Sequence, residues 1–183
     1  MGFGLDLPWH RYARWCYGAR IRLAPQSQWA INNPDALAEV IAVLEEVQDE
    51  FNSGLSRGKQ ISLADVVVLA GNVGVEQAAE EFGVEVSIPF TPGRVDAIEG
   101  SVDATSWSVM EPRHDGFRNY MADLGFMTPS QALIDKADML NLTVSEMTVL
   151  LGGMRAMNAN ADGSDRGVLT DRPGVLSLSL IHI

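Results

Sequence analysis

Three histidines, one cysteine and a stripe of methionines are the residues that could carry chemistry in this chain. His10, His114 and His182 are far apart in sequence, and only His114, in Glu111-Pro112-Arg113-His114-Asp115-Gly116, sits in well-behaved surroundings. It could act as a base or a ligand, but an isolated loop histidine is more often a plain surface residue. Cys16 stands alone, which excludes an internal disulfide and any thiolate cluster for zinc or iron-sulfur. Met147, Met154 and Met157 recur at helical spacing, where a soft metal site is one reading and core filler the commoner one. The run Thr91-Pro92-Gly93-Arg94-Val95-Asp96 could cradle an anion, or be a Pro-Gly turn with a local ion pair. The second reading is preferred. No Gly-rich phosphate loop, nucleophile elbow or His-Glu zinc motif is present.

The elements that would position these residues are mostly helical. Asn32-Asn33-Pro34 is a helix start with an Asn cap and Pro in the first turn. Leu37, Val40, Ile41, Leu44 and Phe51 then mark one apolar face, with Glu39, Glu45, Glu46, Asp49 and Glu50 turned to water. Ser62 and Asp65 form an acidic variant of the capping box. The helix it opens, over 63–71, is apolar almost all round and belongs in the centre of the domain. A third helix is predicted over 73–82, ended by Gly83 as a left-handed cap.

From 84 to 128 the helical period fails and proline and glycine recur. Within that stretch 84–88 alternates like a short strand that has no obvious partner. A helix is expected over 129–141, followed by a second capping box, Thr143 with Glu146, and a helix carrying Met147, Leu150, Leu151, Met154 and Met157. Gly152-Gly153 inside that pattern requires either a close approach or an interruption. Loop composition follows Asn158.

At 183 residues and 46% hydrophobic content, one domain with one core is the expected count. A net charge of −11 argues against nucleic acid and anionic membranes as partners. No apolar stretch reaches the length of a membrane-spanning helix, so the product is expected to be soluble and cytoplasmic.

Five blocks go further than periodicity: GARIRLAPQ from Gly18, SLADVVVLAG from Ser62, VSIPFTPGRVDA from Val86, DGFRNY from Asp115 and EMTVLLGGMR from Glu146. In that order, the chain resembles the C-terminal half of bacterial-type catalase-peroxidases. The resemblance implies an all-α, plant-peroxidase-like helical domain, incomplete and with long ordered loops. In that family two halves share the fold and only the N-terminal half holds haem b. The C-terminal half is a structural support, and the enzyme is a homodimer or homotetramer that dismutates hydrogen peroxide and oxidises small donors. Where the haem-holding half reads Gly-Gly-His, with the histidine on the iron, this chain reads Gly152-Gly153-Met154. A thioether is a weak substitute for imidazole. The expectation is therefore no catalytic residue, no cofactor and no metal in this chain, with the N-terminal half of the same enzyme as its partner.

Both ends depart from the resemblance. Residues 178–183 read as the translation of a transposon-end adapter, so nothing is expected of His182. Residues 1–17 read as a frameshifted segment, because Gly2 to Cys16 can be back-translated so that a neighbouring frame is similar to the family sequence directly before Gly18. Trp9, His10, Trp15 and Cys16 are then frame noise, leaving Trp29 and Trp107 as genuine tryptophans and 18–177 as a partial peroxidase-like domain. Two rival readings stay open: a small peroxidase that binds haem through His114, and an independent helical interaction module using its acidic face.

Overall fold

The structure, a computed structural model, describes residues 17–56, 58–101, 103–111, 128–160 and 163–176. His10, His114 and His182, Cys16, the DGFRNY block and the 178–183 tail lie outside the described residues. The described chain is mostly helical, as expected of an all-α fold. It divides into two compact units, one of residues 1–72 and 89–109, the other of 73–88 and 110–183.

The first unit opens with β1 (Tyr17–Gly18) and three short 3-10 turns, Arg20–Arg22, Gln26–Gln28 and Ala30–Asn32. Helix α1 (Pro34–Ser53) starts where the sequence places it, with Pro34 in the first turn. Its cap differs from expectation. Asn33 sits in the left-handed region at φ 48° and its side chain makes no capping hydrogen bond, so asparagine serves here for its backbone tolerance. Of the predicted apolar face only Ile41 is buried, while Val40 and Phe51 are more than half exposed. At the far end Asn52 binds both backbone groups of Ile61, accepting its N–H at 2.8 Å and donating to its carbonyl at 3.2 Å. Gln48 donates to the same carbonyl at 2.9 Å.

Helix α2 (Leu63–Glu80) is one continuous helix where two were expected. The glycines at 71 and 74 lower helix propensity without breaking the hydrogen-bond ladder. Its first turn is buried, at Leu63, Ala64, Asp65 and Val66, and so are Ala78 and Ala79 in the part of the helix, from residue 73 on, that belongs to the second unit, whereas Ala70 and Gly71 are exposed. Gly83 ends it as predicted: φ is +90°, and Val84 N–H returns to the Ala79 carbonyl at 3.1 Å. The alternating run 84–88 forms no strand. The described strands are β1 and β2 (Val95–Asp96), paired in parallel, Tyr17 with Val95 and Gly18 with Asp96. A five-residue helix, α3 (Ala104–Ser108), closes the unit, its first turn capped by the Asp103 carboxylate. Leu23, Trp29, Ile41, Leu63, Ala64, Val66 and Ala97 make this unit's apolar core.

In the second unit, α4 (Pro129–Met139) carries a capping box that the sequence reading missed, Thr128 with Gln131, and has proline at its start. Helix α5 (Val144–Ala156) begins on the predicted box. Thr143 N–H donates to the Glu146 carboxylate at 2.8 Å, and Glu146 N–H donates to Thr143 Oγ1 at 3.3 Å. Glycines 152 and 153 leave α5 uninterrupted. Ala78, Ala79, Ala132, Ala137, Met147, Ala156 and Val175 are buried in this unit. Where one domain with one core was expected, the 63–71 segment contributes to the core of the first unit and the 143–157 segment to that of the second.

Candidate functional site

Three of the five sequence blocks meet at one joint in the first unit. Gly18 lies against Ala64, and a β-carbon built on Gly18 would stand 2.5 Å from the Ala64 Cβ. Only glycine fits without displacing the start of α2. Next to this contact, Ala97 N–H donates to the Gly18 carbonyl at 2.9 Å, and Arg22 Nη2 donates to the Ala97 carbonyl at 2.8 Å. Ala97 is completely buried between them.

Two carboxylates fasten the joint. Asp96 accepts the N–H groups of Leu63 at 2.8 Å and Ala64 at 2.7 Å, satisfying donors that the first turn of a helix leaves without intrahelical partners. Its negative charge also complements the helix dipole. Asp65 looks the other way. It accepts Gly93 N–H at 2.8 Å, Arg94 N–H at 3.4 Å and Arg94 Nη1 at 2.8 Å. Burial acts to raise its pKa, but the hydrogen bonds from Gly93 and Arg94 together with the guanidinium charge outweigh it and hold the carboxyl below its ordinary value. Arg94 Nη1 also donates to the Thr91 carbonyl at 2.8 Å, and its guanidinium lies 5.8 Å from the centre of the Phe90 ring.

The run 91–96 is therefore a tied turn and not an anion cradle. Its ion pair is made with Asp65 on α2, 29 residues away in sequence, and Asp96 is a helix cap. Sequence reasoning named Asp65 as a capping residue and Asp96 as part of the turn, but missed the groups that each binds. Their partners are remote, and the only local signal was that Ser62 precedes Asp65 by three positions. Beside the joint, Trp29 and Trp107 pack with ring centres 6.5 Å apart, and the Arg20 guanidinium stands 4.5 Å from the Trp107 ring centre. A groove of about 530 Å³ runs along α1, lined by Arg22, Glu45 and Glu99 together with apolar side chains such as Leu37 and Ile41. Among the described residues that line it there is neither histidine nor cysteine.

In the second unit, the block on α5 also turns out to be packed structure. The approach expected at Gly152-Gly153 is made by Leu176, whose Cδ2 lies 3.6 Å from where a Gly153 β-carbon would be, an ordinary contact. Met154 follows, partly buried. Arg155 is buried to 1% exposure and binds the loop after the helix, donating to the Ala159 carbonyl at 3.3 Å and to Asn160 Oδ1. Asn160 in turn donates to the carbonyls of Ser164 and Arg166. A buried arginine at the end of an apolar helix thus organises the Asn-rich loop that follows it.

Haem iron in peroxidases is held by a strong imidazole donor. The described residues include no histidine and no cysteine, and at position 154 the donor is a thioether. Among the described residues no group of three or more His, Cys, Asp or Glu side chains could hold a metal ion. The described residues do not fit a haem. None of the described helices is long and apolar enough to cross a membrane.

The sequence from residue 3 to residue 173 matches the peroxidase family. Among curated proteins, it is similar to catalase-peroxidase 2 of Shewanella sp. (strain MR-4), with 57% identity over 160 residues, 87% of this chain and 22% of the relative. A catalase-peroxidase of Bradyrhizobium sp. (strain ORS 278) is 56% identical over the same shares, and one of Granulibacter bethesdensis is 56% identical over 87% of this chain and 21% of its own length. The chain spans about a fifth of the length of these relatives. With a family match that takes in both the joint on α2 and the Gly-Gly-Met segment of α5, the chain belongs to the peroxidase family.

Proposed function

We propose that this chain is a non-catalytic, structural fragment of the C-terminal domain of a bifunctional catalase-peroxidase. The parent enzyme, in this reading, converts hydrogen peroxide to water and oxygen and oxidises small donors with a haem b held in its N-terminal half. It serves the response to oxidative stress in the cytoplasm as a homodimer or homotetramer. The fragment's partner is that N-terminal half, and residues 18–177 are the part of the domain it retains.

The observation that carries the reading is Met154. It occupies the position that the resemblance assigns to the axial histidine, on an uninterrupted helix whose neighbouring residues are spent on packing and on the loop bound by Arg155. The exposed apolar side chains support the same reading. Val149 is 74% exposed, Ile98 65% and Val144 62%, as fits a domain separated from surfaces that would cover it. That exposure counts against an independent interaction module working through an acidic face.

Haem titration of the purified 183-residue chain tests the proposal. The expected outcome is no Soret shift and no peroxide turnover. A shifted Soret band with turnover would overturn it, and loss of that band in His114→Ala would identify the small self-sufficient peroxidase instead.

A further inference from the structure

Helix α2 is anchored by hydrogen bonds at both ends, and Ala70, Gly71 and Val73 between them are exposed. Its first turn is held by Asp96 on the Leu63 and Ala64 N–H groups, and by Asp65 on the 93–94 backbone. Its last turns are held by Leu176 N–H on the Ala78 carbonyl at 3.0 Å and by Glu76, whose carboxylate accepts Ile88 N–H at 2.7 Å. Ala78 and Ala79 are buried there. Between the anchors lie Gly71 and Gly74, three residues apart. A β-carbon on either would meet nothing within 4 Å, and neither adopts a left-handed backbone. Neither close packing nor backbone geometry within the described residues asks for glycine at these positions. Gly18 is the contrast, since it is glycine because Ala64 leaves it no room.

A glycine inside a helix costs backbone entropy on folding and weakens the ladder locally. Two of them on one turn, with Ala70, Gly71 and Val73 exposed, concentrate that weakness between the two sets of anchors. We propose that α2 carries a hinge: it opens reversibly at the turn 71–74 while the hydrogen bonds at its two ends stay made.

Hydrogen-deuterium exchange on the 183-residue chain tests this. Amides 72–78 are expected to exchange at least about tenfold faster than amides 66–70 of the same helix. Gly71→Ala and Gly74→Ala together are expected to slow them by roughly thirtyfold, about fivefold for each replacement. Ala70→Gly, at an exposed position beside the hinge, is expected to speed them further, and it keeps the test open should the double variant express poorly. Exchange that is uniform along α2, or unchanged by the two alanines, would overturn the hinge. So would loss of helix in the double variant, because that would mean the glycines are needed for a close approach.

Discussion

Two helix starts in this chain share one pattern and use it differently. At Thr143 the residue three positions on, Glu146, reaches back to the cap, and the box closes locally. At Ser62 only half of it forms. Asp65 N–H donates to Ser62 Oγ at 3.1 Å, but the Asp65 carboxylate turns outward to Gly93 and Arg94. Aspartate is one methylene shorter than glutamate, so it reaches back less readily, and a guanidinium is in place on the other side. The Leu63 and Ala64 N–H groups, which the acidic residue of a capping box does not reach, are taken by Asp96. A sequence motif therefore specifies that a helix begins but not what its acidic residue binds; a remote partner can redirect it.

The largest effect is expected where the remote partner is used. Asp65→Ala leaves the Arg94 guanidinium and the Gly93 N–H without their acceptor, and is expected to destabilise the first unit by about 3 kcal/mol in urea unfolding followed by tryptophan fluorescence. A loss as small as that of an ordinary surface substitution would mean that the 91–96 turn holds itself. Thr143→Ala is expected to cost about 1 kcal/mol, read as faster amide exchange at the start of α5, because only a local cap is lost. An effect there equal to that of Asp65→Ala would erase the distinction between the two starts.

Acid should separate them more gently. Asp65 has its pKa lowered from an ordinary value of 3.8, so its contribution is complete above that pH and is lost as pH falls through the lower folded value. Glu146 is likewise lowered from 4.5, by hydrogen bonds from the Thr143 hydroxyl and backbone, but it is fully exposed and its loss should stay confined to the first turn of α5. The expected record is a drop in first-unit stability below pH 3.8 in wild type that Asp65→Ala does not show. Parallel acid profiles for the two proteins would remove Asp65 as its cause.

What the sequence made legible was what neighbouring residues decide. The start of α1 at Pro34, the Gly83 cap and the Thr143 box are settled within a few positions, and all three are found. What it concealed depended on distance. The alternation over 84–88 is strand-like without an obvious partner, and no strand forms there; the pairing that does form, β1 with Val95 and Asp96, joins residues far apart in sequence. The boundary expected between the helices over 63–71 and 73–82 is not there, because the propensity lost at Gly71 and Gly74 is smaller than the cooperativity of a helix fixed at each end. The roles of Asp65, Asp96 and Arg155 required partners that only the folded chain supplies. Met154 differs from all of these: helical spacing marks it as it marks Met147 and Met157, and the role proposed for it rests on the resemblance.

Asn52, by satisfying both the N–H and the carbonyl of Ile61, imitates a rung of backbone pairing with a side chain. The return from α1 to α2 is thereby registered at its far end, whatever path the chain takes between Gly54 and Gln60. The described residues of that passage are exposed, so an epitope added there is expected to ride on the surface without disturbing either helix.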